Sequence, residues 1–236
     1  MSAAIIIFAR YDSRRLPGKA LRDLVGRSLL ARVFDRAQQV PGNYPVVLAT
    51  SDRDIDNPLA DLADGEGIGV FRGHATDVLA RCLACAESLG VTRVARITGD
   101  SPFFNPRLIH TLIELSEDKL LDVATNVFPR TFPPGASAEI ITASALRRAA
   151  EYATDPADRE HMTGYFYRNP TQFRIENVTA SQSIAFAGVS LAVDTEEDLQ
   201  RATWIVEHMS QPPEQVAYEQ ILELARIWRQ ENVAQQ

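Results

Sequence analysis

Short apolar runs alternate with longer amphipathic stretches through the first half of the chain. The apolar runs predict buried strands, because strands covered on both faces carry apolar side chains at nearly every position. The longer stretches have apolar residues at helical spacing and predict crossover helices. This alternation predicts an α/β fold with a doubly wound, mostly parallel sheet.

The predicted elements of this half follow one another closely. Strands are predicted at 4–8, 46–49, 70–72, 93–98 and 122–126. Helices are predicted at 29–39, 57–64, 75–89 and 106–115. Asn57 and Asn105 can each cap the helix that follows, with proline at its first position.

The second half has a weaker pattern, with an irregular segment at 128–134. Strands are predicted at 139–142, 173–178 and 189–193, and helices at 143–152, 159–167, 196–208 and 213–229. A length of 236 residues suits a single domain over 1–236.

The formal net charge of −7 argues against a broad basic surface for nucleic acid or an anionic membrane. No apolar segment approaches the length needed to cross a bilayer, and residues 1–8 lack the features of a signal peptide. A cytoplasmic protein is therefore expected. Cys82 and Cys85 lie inside a predicted helix, where reduced core thiols are the expected state.

The loop after the first strand concentrates positive charge in this acidic chain. Arg10, Arg14, Arg15 and Lys19 fall within ten positions, and Gly18 completes a Pro-Gly turn. Ligands of doubly wound sheets lie beyond the carboxyl ends of the strands, and Arg and Lys donate to phosphate oxygens. The loop therefore suggests a phosphate site, although its glycine spacing fits neither of the common nucleotide motifs. A solvated basic loop is the alternative.

Two carboxylates follow predicted strands at the same edge of the sheet. Asp100 comes after strand 93–98, and Asp194 comes after strand 189–193. Carboxylate oxygens suit magnesium. The alternatives are a turn residue for Asp100 and a helix N-cap for Asp194.

Several ordered motifs extend over nearly the whole chain. They are Arg-x-x-Ser-x-Arg-Leu-Pro-Gly-Lys at 10–19, Phe-Arg-Gly at 71–73 with Asp-Val-Leu at 77–79, Arg-Ile-Thr-Gly-Asp-Ser-Pro at 96–102, Pro-Arg-Thr-Phe-Pro-Pro-Gly at 129–135, Asp-Pro at 155–156 with Arg-Glu-His at 159–161, and Val-Asp-Thr-Glu-Glu-Asp-Leu at 193–199. Together they resemble the cytidylyltransferases of sugar acids, which make CMP-Kdo and CMP-sialic acid. The resemblance is strongest to the SpsF-type branch of spore coat polysaccharide biosynthesis.

The resemblance implies a fold, a reaction and a set of partners. The fold would be a three-layer sandwich like that of the nucleotide-diphospho-sugar transferases (GT-A-like), with an acceptor or dimer insertion near 127–180. The enzyme would transfer CMP from CTP to an acidic sugar or related acceptor, with release of pyrophosphate. Mg²⁺ would be the cofactor, and a homodimer is expected.

The resemblance also assigns residues to roles. The implied metal ligands are Asp100 and Asp194, and the implied catalytic residues are Lys19, Arg10, Arg15 and Asp100. The implied nucleotide contacts are Ala9, Arg10, Ser13, Arg15, Gly18, Lys19, Arg72, Asp77 and Asp100. The implied acceptor contacts are Arg130, Phe132, Glu139, Arg159 and His161. The alternative for Asp77 is a favourable negative charge in the first turn of a helix. The alternative for His161 is a polar position in the core or at an interface.

Two positions depart from the pattern of the branch. Tyr11-Asp12 stands where Met-Gly is usual, and Ser137 stands where Asp is common. These changes bear on the identity of the acceptor more than on the reaction.

Two other functions compete with cytidylyl transfer. Asp52-Arg53-Asp54 has the letters of a glycosyltransferase metal motif, but we interpret Asp52, Asp54 and Asp56 as a polar loop before the Asn57 cap. A regulatory protein without activity would have lost Lys19, Asp100 or Asp194, and all three are present.

Overall fold

The computed structural model describes residues 2–181 and 188–233. Within them, seven strands form one sheet in the order β3-β2-β1-β4-β6-β5-β7. The strands are β1 Ala3–Phe8, β2 Val46–Ser51, β3 Gly69–Gly73, β4 Arg93–Thr98, β5 Val123–Thr125, β6 Glu139–Thr142 and β7 Ile175–Asn177. Only β6 pairs antiparallel with its neighbours in this sheet. The predicted doubly wound, mostly parallel α/β sheet is confirmed.

Helices cover the sheet and extend beyond it. They are α1 Leu29–Gln38, α2 Asn57–Gly65, α3 Val78–Ser88, α4 Pro106–Asp118, α5 Ala143–Tyr152, α6 Pro156–Glu160, α7 Met162–Arg168, α8 Glu196–Glu207 and α9 Tyr218–Val233. Local signals explain several starts: the Asn105 side chain accepts hydrogen bonds from two backbone N–H groups at the start of α4, and Thr195 forms a capping box with Asp198 at α8. No helix in the described part of the chain is long and apolar enough to cross a membrane.

Buried apolar side chains pack on both faces of the sheet. Helices α1, α2 and α4 supply one layer and α3, α5 and α7 the other, so the helices and the sheet form three layers. Cys82 and Cys85 lie in the second layer as buried free thiols. A third cluster joins α8 and α9 to residues 189–193 and to Phe132. The carboxyl ends of β1 and β4 remain uncovered between these layers.

The predicted strand at 189–193 is wrong, because the structure has no strand there. Its backbone instead bonds to loops: Leu191 N donates to Pro134 O at 2.7 Å, and Val193 N donates to Asp100 O at 2.9 Å. Gly135 makes this packing possible, since it has φ 85° and a Cβ there would lie 2.3 Å from Ala192 N.

Two predicted helices also differ from the structure. The helix predicted at 159–167 is divided into α6 and α7, because His161 takes non-helical dihedral angles between them. The last helix begins at Tyr218 rather than at residue 213, after a turn in which Gln215 N donates to Pro212 O. The region 127–180 holds β6, β7 and three helices, and its irregular part runs from Val127 to Ala138.

Candidate active site

A cleft of about 590 Å³ opens at the carboxyl ends of the parallel strands. We call it the carboxyl-edge cleft. Its lining residues are Phe8, Ala9, Arg10, Asp12, Ser13, Arg14, Arg15, Lys19, Ala20, Arg53, Thr76, Gly99, Asp100, Glu160, His161 and Asp194. β1 lies between β2 and β4. The chain therefore continues from β1 to β2 and β3 on one side of β1, and then crosses to β4 on its other side. Doubly wound folds bind ligands at such a switch point.

The basic loop after β1 folds back on itself at the mouth of this cleft. Tyr11 O accepts hydrogen bonds from Ser13 N and Gly18 N, both at 3.0 Å. Gly18 has φ 68°, and a Cβ there would lie 3.3 Å from Tyr11 Oη, so glycine suits this position. The turn leads into a 3₁₀ helix, Lys19–Leu21, that directs the Lys19 side chain into the cleft.

Lys19 joins the two predicted metal-ligating carboxylates. Its Nζ lies 2.9 Å from Asp100 Oδ2, 2.8 Å from Asp194 Oδ1 and 2.9 Å from Val193 O. Only 13% of its side chain is exposed. Arg15 Nη2 lies 2.8 Å from the other oxygen of Asp194, Oδ2. Residues separated by up to 175 positions therefore meet at one ammonium group.

Asp100 is held in its ionised form. Burial raises the pKa of this carboxyl, but the Lys19 charge and hydrogen bonds from Thr98 and Ser101 outweigh burial and leave the pKa below its ordinary value. The carboxylate is therefore available to pair with a cation across the physiological pH range.

Arg10 occupies the side of the cleft formed by α6. Its Nη2 lies 3.0 Å from Glu160 Oε1, and its Nη1 donates to Ala75 O at 3.1 Å. His161 follows Glu160 and is exposed at the same wall. This side therefore presents a cation, a carboxylate and an imidazole close together.

Sequence reasoning missed the roles of two side chains that shape the site, Asp56 and Arg53. Buried Asp56 accepts a hydrogen bond from Tyr11 N at 2.6 Å and one from the Ser51 hydroxyl, so it anchors the basic loop. Arg53 lines the cleft and pairs with Asp12 at 2.8 Å, while Glu160 pairs with Arg10. The sequence does indicate Glu160, as part of a candidate acceptor group with Arg159 and His161, whereas no local pattern separates Asp56 from Asp52 and Asp54.

Some of the predicted site residues line the cleft, and the others lie outside its lining. Those that line the cleft are Ala9, Arg10, Ser13, Arg15, Lys19, Asp100, His161 and Asp194. Arg72 is not among the lining residues, and it donates to Ser51 O, Arg53 O and Asn57 Oδ1, which braces the loop after β2. Asp77 caps α3 and pairs with Arg159 Nε at 2.6 Å. The roles predicted for Arg72 and Asp77 stay predictions.

Most predicted acceptor contacts lie outside the cleft lining. Arg159 donates to the carbonyls of Ala150 and Ala153 as well as to Asp77. Phe132 is buried in the cluster around α8 and α9. Arg130 is exposed, and its Nη2 donates to Ser137 Oγ at 3.1 Å.

Glu139 belongs to a buried polar network beside β4. Its Oε2 lies 2.7 Å from Arg96 Nη1, and its Oε1 accepts from the Tyr167 hydroxyl at 2.5 Å. Burial and the neighbouring Glu139 charge raise the pKa of Tyr167, which keeps its hydroxyl a donor. The Phe128 ring stacks on Tyr167 with centroids 4.7 Å apart. The network thus links Glu139 to the irregular loop that begins at residue 127.

Comparisons with known proteins agree with this arrangement. The sequence profile described as cytidylyltransferase matches residues 4–235. The chain is 30% identical over 226 residues to the spore coat polysaccharide biosynthesis protein SpsF of Bacillus subtilis, covering 94% of this chain and 93% of that protein. It is 36% identical over 126 residues to the 3-deoxy-manno-octulosonate cytidylyltransferase of Escherichia coli, covering 52% and 50%.

Among solved structures, a cytidylyltransferase from Leptospira borgpetersenii serovar Hardjo-bovis superposes with a TM-score of 0.90. The two chains are 26% identical, and the match covers 99% of this chain and 96% of that one. The similarity therefore includes both the sheet and the segments that follow it.

Proposed function

This chain belongs to the cytidylyltransferase family, and from that membership we propose the residues, the metal and the acceptor of its CTP-dependent reaction. In that reaction CMP passes from CTP to an acidic sugar or a related acceptor, and pyrophosphate is released. The observation that carries the proposal is the convergence of Asp100, Asp194 and Lys19 beside the basic loop.

The basic loop would receive the triphosphate. Arg10, Arg15 and Lys19 enter the cleft from one short segment, and guanidinium groups donate in pairs to phosphate oxygens. Attack of an acceptor oxygen on the α-phosphorus breaks its bond to the bridging oxygen, which departs with pyrophosphate. Positive charge held in place before the reaction stabilises the negative charge that develops on these oxygens.

Mg²⁺ would be held by Asp100 and Asp194. Both are oxygen donors aimed at the same point, as their contacts with one ammonium nitrogen show. No group of three or more His, Cys, Asp or Glu able to hold a metal occurs within residues 2–181 and 188–233. Two carboxylates suit Mg²⁺, which takes its remaining ligands from water and phosphates. Bound there, it would neutralise charge on the reacting phosphate.

The acceptor would enter from the side of α6. His161 lines that wall and could bind an acidic group, next to the Glu160 carboxylate that pairs with Arg10. The names of two relatives, a polysaccharide biosynthesis protein and an octulosonate cytidylyltransferase, support a sugar acid. The proposal includes a homodimer, as expected from the family resemblance, and a cytoplasmic location, as expected from the sequence.

The test is pyrophosphate release with each of the four ribonucleoside triphosphates, with Mg²⁺, against a panel of sugar acids and small phosphonates. Release with CTP alone that depends on one acceptor is the expected result. Failure with every triphosphate, together with transfer from a nucleotide sugar, would favour a glycosyltransferase instead.

A further inference from the structure

Each N–H group of the Lys19 ammonium has an acceptor within the protein. Its three acceptors are one oxygen of Asp100, one of Asp194 and the carbonyl of Val193, at 2.8–2.9 Å. An ammonium has three N–H groups, so none is left for a phosphate oxygen. Lys19 cannot serve a triphosphate from this position.

The oxygens of both carboxylates also have partners within the protein. The second oxygen of Asp194 pairs with Arg15 at 2.8 Å, and the second oxygen of Asp100 accepts from Ser101 Oγ at 3.2 Å. The oxygens that face each other across the site are those that contact Lys19. A divalent cation between them would need the place that the ammonium now holds.

The charges of the cleft nearly cancel without a ligand. Five lining residues are basic, namely Arg10, Arg14, Arg15, Lys19 and Arg53, and four are acidic, namely Asp12, Asp100, Glu160 and Asp194. Each acidic residue forms an ion pair with one of the basic ones. A nucleotide triphosphate must therefore exchange internal ion pairs for its own contacts.

We propose that Lys19 is a resident counterion that closes the Asp100–Asp194 site in the free protein. The triphosphate opens the site by drawing the ammonium onto its own oxygens, and only then do the two carboxylates accept a divalent cation. Metal binding is thus coupled to nucleotide binding and is weak without it. This inference rests on the proposed function. It assigns Lys19 two successive sets of partners in the same site, first the two carboxylates and then the triphosphate.

The first test uses Mn²⁺ as the probe and the full chain without nucleotide, with free Mn²⁺ measured by electron paramagnetic resonance. Lys19→Met removes the ammonium and adds no oxygen ligand, so we expect it to bind Mn²⁺ at least about tenfold more tightly than the wild type. The double variant Lys19→Met/Asp194→Asn should lose this gain. Arg22→Met removes a nearby charge that pairs with Glu196, outside the cleft lining, and should match the wild type.

A second test needs no variant of Lys19. The melting temperature of the wild type is measured alone, with Mn²⁺, with CTP plus chelator, and with both Mn²⁺ and CTP. Ligands that bind the native state raise this temperature. We expect almost no shift with Mn²⁺ alone and the largest shift with both. A shift with Mn²⁺ alone as large as that with both would overturn the proposal, as would equal Mn²⁺ affinity of the wild type and Lys19→Met.

The pyrophosphate assay separates this inference from the proposed function. If the wild type releases pyrophosphate from CTP but binds Mn²⁺ tightly without nucleotide, only the Lys19 inference fails. If no acceptor supports release from CTP, the proposed function itself fails.

Discussion

Two openings of similar size lie at opposite edges of the sheet and differ in how their charges are arranged. The carboxyl-edge cleft measures about 590 Å³, whereas the groove at the amino ends of the strands measures about 670 Å³. We call the second the amino-edge groove. Its lining residues are Ala86, Glu87, Gly90, Val91, Thr92, Arg93, Leu120, Leu121, Asp122, Thr142, Ala143, Ser144 and Arg147.

The amino-edge groove contains separate ion pairs. Arg147 contacts Glu87 at 2.9 Å with both side chains about half exposed, and Asp122 pairs with Arg148. An exposed pair such as Arg147–Glu87 contributes about 0–1 kcal/mol. In the carboxyl-edge cleft, by contrast, two carboxylates from distant segments share one largely buried ammonium. The carboxyl-edge cleft therefore differs from the amino-edge groove in the convergence of its charges rather than in its volume.

The largest expected effect comes from removing one of the converging carboxylates. Asp194→Asn keeps the side-chain shape but removes the charge, so Mg²⁺-dependent turnover should fall by roughly 10²–10³ or more. Circular dichroism should show an intact fold. Near-normal rates over a range of Mg²⁺ concentrations would contradict the assignment of Asp194 as a metal ligand.

Removing the shared ammonium should have the next largest effect. Lys19→Met should lower kcat/KM for CTP by roughly 30- to 160-fold. This corresponds to about 2–3 kcal/mol, the usual cost of losing one member of a partly buried charge pair. Steady-state kinetics at saturating Mg²⁺ measure the change. An unchanged kcat/KM for CTP would exclude a role for Lys19 with the triphosphate.

The anchor of the basic loop should have a smaller effect on activity. Asp56→Asn weakens the hydrogen bond from Tyr11 N, so KM for CTP should rise several-fold, and stability should fall by about 1–3 kcal/mol. Asp54→Asn is the matched control, because Asp54 is exposed in the same turn. Equal KM values and equal urea midpoints for the two variants would show that Asp56 does not position the loop.

The smallest effect is expected in the amino-edge groove. Arg147→Ala breaks an exposed ion pair, so stability should change by no more than about 0.5 kcal/mol and kcat/KM should stay within about twofold. A large loss of activity in this variant would show that the charges of the amino-edge groove also contribute to function.

The strands of the first half could be predicted because they are short segments rich in apolar residues that end at a turn or a loop. The family, the reaction class and the α/β fold are likewise confirmed. The segment 189–193 misled the prediction, since Val189, Leu191 and Val193 alternate like a strand and are all buried. Their backbone partners are carbonyls of distant loops, which no local pattern encodes.

Asp100 was predictable because it closely follows β4, whereas Asp194 was expected after a strand at 189–193 that the structure does not have. Asp100 and Asp194 were expected at one edge of the sheet, and the structure places both on Lys19. The surroundings of Arg159 were not predictable, because its partners are Asp77 and two carbonyls near the end of α5. These contacts arise only when α6 packs on α3 and α5. The metal and acceptor roles stay predictions.

The packing of residues 191–193 against Gly135 has a consequence for how the protein is made. All seven strands leave the ribosome before Asp194 does, because the last of them ends at Asn177. Because chains begin to fold from the amino end during translation, the sheet and basic loop can form while Lys19 still lacks its second carboxylate. A nascent chain at that stage holds the whole sheet but lacks the contact between Lys19 and Asp194. The contacts of Lys19 are complete only when residues 191–193 have docked against Gly135.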